Sequence, residues 1–202
     1  MALQNTGINP DQFARRYEAT HAIGGPDIPL QSVHIEGIHD AAFQNAYLNA
    51  SASLSQVDEL LAAIQHVPLT VPVSGKEFER TSGFGARVDP FTGRYSFHPG
   101  VDFAGPWGAV VHSTASGTVI WAGNRGGYGN MVEIDHGMGI RTRYGHLSAI
   151  LVEVGEKLPK GAPIGRLGST GRSTGPHVHY EIWYNDTVRN PSRFFDAARG
   201  VL

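Results

Sequence analysis

The chain of 202 residues contains no cysteine. Disulfides and thiolate metal sites are therefore excluded, and the compartment cannot be read from cysteine pairing. Any metal has to be held by His, Asp or Glu, and ten histidines supply donors. Long apolar runs are also missing. No stretch of about 18 apolar residues exists, so no segment reads as a membrane-spanning helix. An excess of one charge is absent too, with 16 basic against 18 acidic residues. Nothing resembles the basic footprint of a nucleic-acid binder. The N-terminus lacks the charged-then-apolar pattern of a signal peptide. Two readings stay open: a cytosolic protein, or an exported one whose leader is not part of this chain.

What is abundant is glycine. The 26 glycines are roughly double the usual share of about 7%, and most fall after residue 74. Before that point the pattern is helical. Asn9-Pro10-Asp11-Gln12 reads as a helix start, with Asn9 as cap and Pro10 at the first helical position. The helix runs to about Thr20, buries Phe13 and Tyr17, and ends at Gly24-Gly25-Pro26; residues 27–38 read as extended or irregular. Phe43, Tyr47, Ala50, Leu54, Val57, Leu61 and Ile64 then form a heptad seam, capped by Asp40 and stopped by Pro68. It reads either as an amphipathic helix packed on the domain behind it or as the end of a longer coiled coil. Residues 1–38, 39–67, 68–75 and 76–202 are thus a leading segment, a seam helix, a Pro-punctuated linker and a glycine-rich β-domain. Candidate strands are 109–112, 117–122, 130–136, 140–147, 151–154, 163–167 and 177–184. The fold class is mainly β, an antiparallel sheet preceded by an α-helical segment. Two stretches, Gly108–Val119 and Val154–Gly165, both read as strand, glycine turn, strand, a duplicated hairpin motif.

The chemistry concentrates in Ser173-Thr174-Gly175-Pro176-His177-Val178-His179-Tyr180-Glu181. In a strand, residues two apart share a face. His177, His179 and Glu181 therefore point one way, and Val178, Tyr180 and Ile182 point into a core. The histidine pair starts a metal site or simply faces solvent. Two upstream segments offer matching groups. His98 and Asp102 flank Pro99-Gly100 and so meet across a turn running into a strand. Tyr144 and His146 are placed on one face of a strand. A catalytic zinc takes about three protein ligands and leaves a position for water, and proton-handling groups complete amide hydrolysis. Four histidines and one aspartate meet that need. Glu181 is a rival base or a partner that orients an imidazole. Tyr95, Tyr128, Asn130 and Tyr144 are candidate substrate contacts. His21, His34, His39, His66, His112 and His136 read as structural or solvated.

The segment from about Gly83 to Phe195 resembles the lysostaphin/LytM-type zinc endopeptidases, peptidase family M23. The matching stretches are Gly83-Phe84-Gly85-Ala86-Arg87, His98-x-x-x-Asp102-Phe103, Gly127-Tyr128-Gly129-Asn130, Tyr144-Gly145-His146-Leu147 and Gly168 through His179. The resemblance implies His98, Asp102 and His179 as ligands of one zinc ion, and His146 and His177 as catalytic histidines. It implies a groove lined by antiparallel strands and a peptidoglycan cross-link peptide as substrate, with the D-Ala–diaminopimelate bond favoured over glycine bridges. It also implies a periplasmic location, with a membrane anchor or signal not part of this chain, and allows an envelope or coiled-coil protein as partner. The alternative is an autoinhibited or non-catalytic wall-binding or amidase-activating module, whose upstream segment covers the groove. A chain beginning near Val71 would then be the more active.

Overall fold

The computed structural model describes residues 5–20 and 40–199. The expected helix end at Gly24-Gly25-Pro26, the extended stretch 27–38, and His21, His34 and His39 lie outside the described residues. Helix α1 (Pro10–Thr20) is capped by Asn9, whose Oδ1 accepts from the amides of Asp11 and Gln12. Helix α2 (Ala41–Ile64) is capped in the same way by Asp40. Thirteen strands follow: β1 (Glu79–Ser82), β2 (Gly85–Val88), β3 (Tyr95–His98), β4 (Val101–Ala104), β5 (Val110–His112), β6 (Gly117–Asn124), β7 (Asn130–Gly137), β8 (Ile140–Leu147), β9 (Ala149–Ile150), β10 (Lys157–Leu158), β11 (Pro163–Arg166), β12 (His177–Tyr184) and β13 (Thr187–Arg189). Helix α3 (Pro191–Arg199) closes the described chain.

All paired strands are antiparallel. The main sheet runs β1-β4-β12-β8-β7-β6-β10, with β13 on β12; β5-β11-β9 and β2-β3 form two smaller sheets. The two strand–turn–strand units do not each close on themselves. β5 pairs with β11 and β6 with β10, so the first strand of each unit binds the second strand of the other. The expected strand 151–154 is not formed. The pairing lies one step earlier, at β9 against β11, and Leu151 only donates a single bond to Ile164 O.

One face of the main sheet carries the core. Val178, Tyr180 and Ile182 of β12 lie there with Ile140 and Tyr144 of β8 and Val132 and Ile134 of β7, all fully buried. The Tyr144 and Tyr180 hydroxyls both bond Thr114 Oγ1, at 2.9 and 2.8 Å, which satisfies two polar atoms that burial would otherwise leave unpaired. Phe195 of α3 covers Tyr180 and Phe103. Ile8, Phe13, Val67 and Val73 belong to the same core. By contrast the seam of α2 faces outward: Phe43, Tyr47, Leu54, Val57 and Leu61 are exposed, and Ala63 is the helix's only buried residue. Among the described residues only the C-terminal end of α2, at Ala63, joins the core of the β-domain. No described helix is long and apolar enough to cross a membrane.

Candidate metal centre

Strand β12 pairs with β4 so that His179 lies opposite Asp102. The Pro99-Gly100 turn between β3 and β4 folds His98 back beside Asp102. The outcome is a cluster of three buried donors. His179 Nδ1 is 2.7 Å from Asp102 Oδ1, His98 Nε2 is 3.2 Å from Asp102 Oδ1, and His98 Nε2 is 3.1 Å from His179 Nδ1. A tetrahedral zinc with ligand bonds of about 2.0–2.1 Å has donors about 3.3 Å apart. The donor set therefore fits a zinc-sized ion, and these three residues could hold a metal.

The proton positions follow from the acceptors. A carbonyl oxygen only accepts, so a ring nitrogen bonded to one carries the hydrogen. His98 Nδ1 donates to Gly83 O at 2.7 Å, which leaves Nε2 as a lone-pair donor to a metal. His179 Nε2 donates to Glu181 Oε1 at 3.0 Å, which leaves Nδ1 free for the same purpose. This is the outer-shell arrangement that fixes ring orientation at metal sites. Burial opposes charge on Asp102, but bonds from His179 and His98 outweigh it and hold the carboxyl well below the usual range. Burial likewise opposes charge on His179. Without a metal, Asp102 and Glu181 prevail and raise its pKa to about 9, so metal and proton compete for the same nitrogen.

Two further histidines face the groove. His146 Nδ1 donates to Thr170 O at 2.7 Å, and His177 Nδ1 donates to Gly175 O at 2.8 Å. Both therefore present a bare Nε2 when neutral. Their ring centroids are 4.6 Å apart, and His177 Nε2 is 4.0 Å from Asp102 Oδ1. Burial, and less so the nearby His177 and His179, lower the His146 pKa to about 4. The groove has a volume of about 280 Å³ and includes all five of these residues, with Arg87, Phe91, Tyr128 and Arg172 on its walls.

The candidate substrate contacts divide. Tyr128 lines the groove, lies 5.8 Å from the His179 ring and donates to Glu181 at 2.8 Å. Burial and Glu181 push its hydroxyl up to about 12, so it stays a donor. Asn130 is a brace instead: its Nδ2 donates to Leu147 O and its amide to Thr170 Oγ1. Tyr95 is 88% exposed on the β2–β3 hairpin and is not part of the groove wall. Tyr144 is in the core, on the face opposite His179, because it pairs with Tyr180. It does not share a face with His146. A register shift in the β7–β8 pairing, together with φ +62° at His146, reverses the alternation after Gly145 and brings the imidazole to the groove side. Glu181 is fully buried and accepts from His179, Tyr128 and Trp183 Nε1, with Arg143 at 3.5 Å. Its bonds are occupied, which suits a group that orients His179 rather than a base. His66 and His136 are structural: His66 Nδ1 bonds His136 O, and His136 bonds Ser116 O and Thr142 Oγ1.

The groove wall is also braced by residues that spacing alone does not single out. Asp89 caps its own turn by accepting from the amides of Phe91 and Thr92. It also takes both of its oxygens to Arg172 Nη2 at 2.7 and 2.8 Å, and that guanidinium holds the carboxyl down at about 2. The Tyr128 loop and the Gly168–Gly175 loop touch backbone to backbone. A Cβ on Gly171, at φ +70°, would stand 2.3 Å from Gly129 N, and one on Gly129, at φ +62°, would stand 2.4 Å from Thr170 C. Only glycine permits both the φ and the approach.

An antiparallel sheet with a His/Asp donor triad and two more imidazoles in one groove is the architecture of a metallopeptidase domain. Residues 96–191 match peptidase family M23. The peptidoglycan DD-endopeptidase ShyA of Vibrio cholerae is 42% identical over 126 residues, 62% of this chain and 28% of that protein. A zinc-containing peptidase from the same organism is 41% identical at a TM-score of 0.56, covering 60% of this chain and 38% of its own. The catalytic domain of the antimicrobial peptidase lysostaphin from Staphylococcus simulans is 34% identical at a TM-score of 0.54, covering 59% of this chain and 92% of its own. The chain belongs to peptidase family M23. It spans little more than a quarter of the length of the curated relatives it matches.

Proposed function

We propose that this chain is a zinc-dependent endopeptidase that hydrolyses peptide cross-links of peptidoglycan, at the bond between D-Ala and diaminopimelate. The observation that carries the reading is the set of four assigned imidazoles. Two turn a bare nitrogen toward Asp102 to complete a donor triad, and two turn a bare Nε2 into the groove beside it. His98, Asp102 and His179 hold the metal, with Glu181 fixing the His179 ring. A bound zinc ion supplies Lewis acidity, polarising the scissile carbonyl and making water acidic enough to attack near neutral pH. His146 and His177 handle the proton. A neutral imidazole whose Nδ1 is committed to a carbonyl accepts the water proton on Nε2. As an imidazolium it then offers that hydrogen to the developing oxyanion or to the leaving amine. Tyr128, kept protonated, lines the groove and donates to Glu181, the group that fixes the His179 ring. The name of the relative ShyA, a peptidoglycan DD-endopeptidase, supports the bond assignment and with it a periplasmic site of action. Residues 76–202 carry all of this chemistry.

The test is mass spectrometry of purified diaminopimelate-type cross-linked muropeptides incubated with the protein, with and without a zinc chelator. Conversion of dimers to monomers, abolished by chelation and restored by zinc, is the expected result. Dimers left intact by the zinc-loaded protein would discard the catalytic reading in favour of a wall-binding module.

A further inference from the structure

The groove does not end at the metal donors. A second cavity of about 450 Å³ adjoins it, and Arg87, Asp102, His177 and Thr174 belong to the walls of both. Thr81, Ser82 and Thr174 lie on the walls of this side chamber, and among the described residues Arg87 is the only lysine or arginine there. Arg87 stands on β2, and its Nη1 donates to Ser82 Oγ at 2.9 Å, which fixes the guanidinium. Its Nη2 is 3.9 Å from Asp102 Oδ2, on the other side of the carboxylate from the oxygen that meets His98 and His179. The side chain remains about one-third exposed, at 35%. The other cation of the groove, Arg172, is already matched by both oxygens of Asp89. Arg87 has no such match. Among the described residues its one anionic neighbour is Asp102, whose charge a bound metal would share.

We propose that Arg87 and the hydroxyls around it form a carboxylate-binding subsite for the leaving-group side of the substrate, making Arg87 a specificity-determining residue. This rests on the reading of the chain as an endopeptidase for diaminopimelate cross-links. In such a link the carbon bonded to the scissile nitrogen also carries a carboxylate, so the anion lies beside the reacting amide. A fixed guanidinium next to the metal donors is placed to receive it, and the guanidinium fork matches carboxylate geometry. A glycine bridge has no carboxylate there and gains nothing from this residue. The subsite therefore selects between the two kinds of cross-link.

The experiment compares two cross-linked dimers that differ only in this group, one with the free carboxylate and one with it amidated. Values of kcat/KM are measured for the wild type, Arg87→Ala and Arg87→Lys, with zinc content and thermal midpoint recorded for each. The wild type is expected to favour the free carboxylate by roughly 10- to 100-fold, the range of a hydrogen bond to a charged group. In Arg87→Ala that ratio should fall to near one, and Arg87→Lys should keep part of it. An equal loss on both substrates would overturn the proposal, since that is what a residue merely steadying Asp102 would give. A wild type that cuts both dimers equally would overturn it as well, while leaving the endopeptidase reading intact. A wild type that cuts neither sinks the endopeptidase reading, and calorimetric binding of the two dimers then decides Arg87. Equal affinities for both dimers would overturn the subsite. A preference lost in Arg87→Ala would uphold it.

Discussion

His146 is where local geometry and chemistry meet. Its φ of +62° is a conformation that non-glycine residues adopt at a cost of about 1–3 kcal/mol, and here it turns a core-facing position into a groove-facing one. Strand periodicity alone could not reveal this, because alternation assigns His146 the same face as Tyr144. The His177/His179 strand, which keeps its alternation, was readable from the sequence for the same reason. Arg87 and Asp89 gave no periodic signal either, since their importance comes from a hairpin folded over the groove. Two substitutions separate the histidine roles. His179→Ala removes a donor and should lose the metal. His146→Ala should retain the metal and lose turnover by about 10²- to 10⁴-fold, the range of general acid–base catalysis. Metal analysis beside the cleavage rate checks both, and wild-type turnover in His146→Ala would refute its role. The pH profile follows from the same residue. With a pKa near 4, His146 stays neutral, and so competent as a base, well below pH 6. His146 should therefore not limit the rate above about pH 4.5, and a loss of rate on the acid side should track release of the metal as protons compete for its ligands. Rate and bound zinc should fall together. A rate that collapses while zinc stays bound would contradict this.

At the scale of elements, the heptad seam was legible in the sequence, but what it packs on was not. Periodicity reports a face and not its partner. Leu54 is 66% exposed on α2, while Val67, just past the helix, is fully buried in the β-domain core. The connector is held there by backbone bonds, with Gln65 O accepting from Ser116 N and Pro72 O from His112 N. Strands β1, β2 and β3 escaped the sequence reading because they are four residues each, too short to show a period among glycines and prolines. Residues of the described N-terminal segment are absent from the groove wall, which begins at Arg87. Trimming to Val71 would instead remove Ile8, Phe13 and Val67 from the core. Each fully buried side chain of this kind is worth about 1.5–3 kcal/mol, so the shortened chain should unfold at lower temperature rather than gain activity. Calorimetry and cleavage rates of the two lengths decide it, and a faster, equally stable short form would restore the occlusion idea. Point changes sharpen the contrast. Val67→Ala should cost about 1–3 kcal/mol and Leu54→Ala no more than about 0.5 kcal/mol, read from urea midpoints.

For the molecule as a whole, the central strands β7, β8 and β12 are largely buried on both faces, and the two faces carry different polar groups. The groove face holds imidazoles and carboxylates, with Arg87 near Asp102 and Arg143 near Glu133 and Glu181. The core face holds hydroxyls and one imidazole, His136, between Ser116 O and Thr142 Oγ1. Burial lowers its pKa to about 4, against the smaller raising effects of its bond to Ser116 and of Asp135, and His66 lowers it slightly further. The sign of the linkage follows. Between about pH 6.5 and 4 the unfolded chain binds a proton on this histidine and the folded chain does not, so stability falls as pH falls through that window. Below pH 4 both states are protonated and the loss levels off. Taking 1.36 kcal/mol per pKa unit, the loss from pH 7 to pH 4.5 is about 2 kcal/mol. His136→Gln keeps a polar group between Ser116 O and Thr142 Oγ1 but cannot charge. Every other titrating group is common to variant and wild type, so the difference between their urea unfolding free energies isolates His136. The wild type should be the more stable at pH 7, and its advantage should shrink by about 2 kcal/mol by pH 4.5. Parallel pH curves for the two proteins would mean that the imidazole takes up its proton inside the fold, and that the core face tolerates a charge.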